Sequence, residues 1–68
     1  MIHTTTEGEV TVHQYKVQDE EGKYLLNLYD YQNAVALAKD LTKRTKKPHH
    51  VYGYDDVKLH YVLLYSAF

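Results

Sequence analysis

The 68-residue chain has no cysteine and no tryptophan, a single proline and only three glycines. Without cysteine no disulfide can staple the fold and no thiolate zinc site can form. The isolated glycines, Gly8, Gly22 and Gly53, make no glycine-rich loop of the kind that cradles phosphates. The only serine, Ser66, has no glycine elbow around it. Asp55-Asp56 and Glu20-Glu21 are adjacent carboxylates best explained by turns, not by acid–base chemistry. No catalytic residue is therefore assigned, and a non-enzymatic protein is expected. The chain also lacks an apolar run long enough to cross a bilayer. Its first residues, Met1-Ile2-His3-Thr4-Thr5-Thr6, carry neither a basic region nor an apolar core, so no signal peptide is expected and the location read from the sequence is cytoplasmic. A formal net charge of −1 gives little long-range attraction to nucleic acid or to an anionic membrane.

What is abundant is tyrosine, with eight residues. Its ring supplies apolar area and its hydroxyl keeps a polar tip, which suits strands and contact surfaces that stay partly wet. The length makes one domain, residues 1–68, with residues 1–8 expected as a flexible N-terminal arm. So short a chain buries only roughly 60% of the surface that its unfolded form exposes. Small scaffolds without disulfides often gain stability by oligomerising.

Hydrophobic periodicity gives an α+β order, β-β-α-β-β. Val10 and Val12 share one phase of an alternation and Tyr15 and Val17 the other, so the phase change at His13-Gln14 predicts a β-bulge or a late strand start. Asp19-Glu20-Glu21-Gly22 reads as a hairpin loop, with Gly22 free to take a positive φ. Tyr24, Leu26 and Leu28 alternate through a second strand. Asp30 is placed to cap a helix from Tyr31, whose inner stripe is Ala34, Leu37, Ala38, Leu41 and Thr45. Lys43, Arg44, Lys46 and Lys47 suit the negative end of its dipole, and Pro48 stops it. His49 to Tyr52 reads as a short strand, Gly53-Tyr54-Asp55-Asp56 as a turn, and Val57 to Tyr65 as the last strand.

One helix of about 14 residues, roughly 20 Å long and 10 Å wide, covers about half of one face of a four-stranded sheet and none of the other. With Tyr24, Leu26, Leu28, Leu59, Tyr61 and Leu63 under the helix, Leu25, Tyr29, Val62 and Leu64 are expected on the bare face. An apolar patch there points to a protein interface, with a homodimer or a host protein as partner. The alternative is nucleic-acid contact through Lys43, Arg44, Lys46 and Lys47, with Tyr52 and Tyr54 as stacking rings. Five histidines raise the question of a metal. His49 and His50 are adjacent, so in a strand they point to opposite faces, and neither a metal nor a cofactor is expected.

Tyr15-Lys16-Val17, the turn ending Gly22-Lys23, Asp30 before Ala34 and Ala38, and Tyr52-Gly53 before the last turn resemble small bacterial and phage domains of β-β-α-β-β type. Residues 15–65 carry that resemblance, which implies a small accessory or regulatory protein acting by binding. The first half is also similar to the β-β-α portion of phage-integrase arm-binding domains, which end at the helix where this chain continues into further strands.

Overall fold

The computed structural model describes residues 1–6 and 8–68, and residues 24–27 by their backbone only. The described residues form five strands and one helix: β1 Ile2–Thr5, β2 Gly8–Asp19, β3 Tyr24–Leu28, α1 Tyr31–Thr45, β4 His49–Asp55 and β5 His60–Ala67. The α+β class, with an antiparallel sheet and one helix against it, is as the periodicity implies. Every pairing is antiparallel, in the order β1-β2-β4-β5, and β3 also pairs with β2. The long β2 carries two strands end to end along one side, β1 at residues 8–11 and β3 at residues 15–18, while β4 lies along the other side.

The bulge read at His13-Gln14 is present. Against β4, Val12 faces Asp55 and Tyr15 faces Gly53, so β2 carries one extra residue there. That residue lets Val10 and Val12 before the bulge, and Tyr15 and Val17 after it, all turn into the core. Asp19 closes the β2–β3 hairpin by accepting from the amides of Glu21 and Lys23, and Gly22 takes φ 86°. Asp30 accepts from the Gln32 amide at 2.9 Å, the N-cap contact expected of it. The helix buries Ala34, Ala38 and Thr42, with Tyr31, Val35, Leu37 and Leu41 packed at the margin. Thr45, expected on the inner stripe, is exposed. Two alanines and a threonine at four-residue spacing make the flattest ridge of the helix, so that ridge approaches the sheet most closely. Lys46 ends the helix in the left-handed region at φ 58°, two residues before Pro48.

Three expectations change. Residues 2–5 are not an arm: β1 pairs with β2, and the Met1 ammonium donates to the Val12 carbonyl at 2.9 Å. Gly53 is not a turn residue, because β4 runs straight through it to Asp55. A Cβ there would lie 2.7 Å from both Leu64 Cδ1 and Val12 Cγ1, so the glycine is where another strand's side chains pass over the backbone. The turn comes after it. Asp55 is 2% exposed, and its carboxylate accepts from the Val57 and Lys58 amides, while Leu59 turns the chain at φ 57°. The third change is in β5. Val51 faces Tyr65 but Tyr52 faces Leu63, so Leu64 is an extra residue and the phase of the strand shifts there.

Candidate interaction surface

Alternation in β4 fixes the two faces of the sheet. His49, Val51, Gly53 and Asp55 are buried, while His50, Tyr52 and Tyr54 point the other way. The adjacent histidines diverge as a strand requires. His49 Nδ1 donates to the Lys47 carbonyl at 2.9 Å and lies 3.3 Å from Thr42 Oγ1 on the helix. His50 Nδ1 lies 2.8 Å from Ser66 Oγ on the bare side.

The register then assembles the bare face from three strands. Tyr52 stands beside Leu63 and Lys16, and Tyr54 beside Tyr61. The Tyr54 and Tyr61 rings meet edge to face with centroids 5.2 Å apart. The Lys16 ammonium sits 4.0 Å from the Tyr61 ring centroid and 5.5 Å from that of Tyr52, in cation–π range of both. His50 continues the row, with its ring 6.5 Å from Tyr52 and 6.3 Å from Phe68. Leu63 is 52% exposed and Phe68 89%, so this is apolar area left open to water.

Of the residues expected on this face, Tyr29 is 78% exposed just beyond β3. The side chain of Leu25 lies outside the described residues. Val62 and Leu64 belong to the opposite side: both are half-buried against the core, and Leu64 passes over Gly53 next to Val12. The expectation for them fails because Val57 and Leu59 lie in the turn, and because a strand face read across a one-residue bulge flips. Tyr61 and Leu63, assigned to the helix side, are the ones that face out. Lys16, His50, Tyr61, Leu63 and Phe68 are the surface residues that sequence reading passed over. The available signal was His50-Tyr52-Tyr54, a polar-aromatic alternation continuing through Gly53.

The basic helix end and the tyrosines do not come together. Lys39, Lys43, Lys46 and Lys47 line a groove of about 660 Å³ with Tyr65 and Phe68 at the helix end, whereas Tyr52 and Tyr54 are on the far side of the sheet. Arg44 is held by Asp40 at 3.1 Å and Lys47 approaches Glu21 at 3.9 Å, both at the surface, where ion pairs contribute little.

A third cluster fastens β1. His3 Nε2 lies 2.7 Å from the Tyr15 hydroxyl, which donates to it in the neutral ring, and the His3 ring packs 4.5 Å from that of Tyr31 at the start of the helix. Burial, with the nearby N-terminal ammonium second, lowers the His3 pKa from its usual value. Burial, then the neighbouring Tyr31 and Asp30, raises that of the Tyr15 hydroxyl. Because folding depresses the His3 pKa, the unfolded chain takes up the proton first as pH falls. The contribution of His3 is thus complete above about pH 6.5 and is lost as pH falls through its folded value. Between pH 7 and pH 5 the β1 amides should exchange faster relative to those of α1, and His3→Gln should abolish that pH dependence. An unchanged ratio in the native chain would mean that His3 does not govern the docking of β1.

Among the described residues, no three His, Asp or Glu side chains gather as a metal site, and no helix is long and apolar enough to cross a membrane. Comparison with protein-family models, with curated proteins and with solved structures finds no match to the chain.

Proposed function

We propose that the chain is a small non-enzymatic binding protein that self-associates through its bare sheet face, with Tyr52, Tyr54, Tyr61 and Leu63 at the centre. The observation that carries this reading is the continuous row of half-buried and exposed aromatic and aliphatic side chains, Tyr52 and Tyr54 among the half-buried and Leu63 and Phe68 the most open, with Lys16 folded over two of its rings. Among the described residues Lys16 is the only formally charged side chain in that row, so two copies can meet there without burying a carboxylate of the row. A net charge of −1 leaves little repulsion between them. The molecule measures 34 × 19 × 18 Å, so its broad face is roughly 650 Å² in projection, close to the ~800 Å² that each partner contributes to a standard interface.

Sedimentation velocity across a wide concentration range is the test. A dimer is expected, and Leu63→Lys should shift it to monomer by at least tenfold in dissociation constant, with the circular dichroism spectrum unchanged. A monomer at every concentration would remove this reading. Lys16 over the rings of Tyr52 and Tyr61 also favours a second reading, the stacking of single-stranded nucleic acid. Binding of a labelled oligothymidylate that weakens steeply with salt, and with Lys16→Ala, would support it.

A further inference from the structure

The groove between the C-terminal half of the helix and β5 has a volume of about 660 Å³, within the roughly 300–1,000 Å³ of small-molecule sites. Lys39, Lys43, Lys46 and Lys47 line it on one side, Tyr65 and Phe68 on the other. The helix sorts its charges by side. Arg44 is paired with Asp40, whereas among the described residues Lys39, Lys43 and Lys46, all turned to the groove, form no ion pair. Lys39 and Lys43 are four residues apart on the helix, a spacing at which like charges destabilise it unless something answers them. The helix dipole accounts for cations in the last turn, but its effect does not reach back to Lys39. Its negative end counts as roughly half a charge, and Glu21, 3.9 Å from Lys47, counts as one. Four lysines exceed both together, and a carboxylate on Phe68 would not reverse the sign. The groove is therefore a concave site with an excess of positive charge.

We propose that this groove binds a nucleoside di- or triphosphate, with the phosphates on Lys39, Lys43 and Lys46 and the base against Phe68. Length argues for a compact polyanion over a polymer. Lys39 to Lys46 spans about 10 Å along the helix axis. Past Lys39 the same side of the helix offers Gln32, Val35 and Ala36, and beside Lys47 stands Glu21, so the cationic stretch ends in both directions. A net charge of −1 also gives a long polyanion little to follow outside the groove. The rings argue for a nucleoside over bare phosphate. Phe68 is 89% exposed at the rim and free to stack on a planar base. Tyr65 is half-buried, and Lys39 Nζ stands 5.8 Å from its ring centroid, which ties the first phosphate ligand to the aromatic wall. Lysine meets phosphate as a point charge on a flexible stem, so the groove selects for charge and a ring more than for one base. Phe68 also ends the row on the bare face, so the two sites meet at its ring.

The test titrates the native chain, labelled with nitrogen-15, in magnesium-free buffer of low ionic strength. Adenosine triphosphate should give saturable shifts at the amides of residues 39, 43, 46–47 and 65–68. Inorganic tripolyphosphate should bind at the same place but more weakly, and adenosine should give no saturable shift. Lys39→Gln combined with Lys43→Gln should weaken binding of the nucleotide at least tenfold. Both lysines are exposed, so the melting curve of the double variant should match that of the native chain. No saturable shift up to millimolar nucleotide would overturn the proposal. So would tripolyphosphate binding as tightly as the nucleotide, stronger binding of a hexaglutamate peptide or an oligothymidylate, or shifts centred on Lys16, Tyr52 and Tyr61. Neither lysine stands on the bare face, so the double variant should sediment as the native chain does, and a failure here is distinct from a failure of self-association.

Discussion

Gly53→Ala should lower the unfolding free energy by about 1–3 kcal/mol, the usual penalty of an overpacked core. A core this small supplies about 3–5 kcal/mol in all, so the variant should be part-unfolded at temperatures the native chain tolerates. The cause is local. The new methyl would stand 2.7 Å from Leu64 Cδ1 and 2.7 Å from Val12 Cγ1. Leu64 is half-buried and can swing its methyl aside. Val12 cannot do so easily: it is fully buried in the central strand, and its β-branch leaves it few rotamers. The urea midpoint should fall with the slope of the transition unchanged. A midpoint equal to that of the native chain would mean that β2 and β4 can part enough to admit a methyl group.

Val62→Lys should unfold the protein, whereas Leu63→Lys should leave it folded. Val62 lies half-buried against the core and Leu63 is 52% exposed, although they are neighbours in one strand. A lysine at residue 62 must either bury an ammonium without a partner or pull the strand off the core. Changes of this kind cost several kcal/mol and belong to the short list of severely destabilising substitutions. Circular dichroism melts of the two variants decide the matter. Two folded proteins would show that the edge of β5 can turn Val62 outward, and the two faces of the sheet would then have to be reassigned.

The parts of the fold legible in the sequence are those set by local chemistry. Asp30 and Pro48 bracket the helix because a cap and a missing amide act within one turn. The Asp19 loop and Gly22 announce the hairpin for the same reason. The bulge at His13-Gln14 could be read because apolar residues flank it on both sides and reveal the change of phase. The bulge at Leu64 could not. Leu63, Leu64 and Tyr65 are all apolar, so a slip of one residue leaves no mark on the pattern. Gly53 misled because a glycine between tyrosines and followed by two aspartates has the composition of a turn. Its real role, giving way to Val12 and Leu64, depends on residues far away in the chain. β1 was hidden for a different reason. Ile2-His3-Thr4-Thr5 has almost no hydrophobic contrast, and what holds it is the contact of His3 with Tyr15 and Tyr31. The consequence for the candidate site is direct. The existence of an apolar bare face followed from counting one helix against one sheet, but its membership depended on the register of β5.

The central place of β2 governs how this chain can come together in time. β2 pairs with β1 and β3, its neighbours in sequence, and with β4, which is separated from it by the whole helix. The local hairpins and the helix can form on their own in microseconds. They do not complete the cover of Val12, Tyr15 and Val17 until β4 has closed the long loop, and closing such a loop costs entropy before any contact repays it. Folding must therefore wait for sequence-distant pairing, with most of the barrier at the docking of β4 along β2. During synthesis the first 45 residues emerge as a helix and two hairpins without a completed core, and cooperative structure arrives only when the last strands are free of the ribosome.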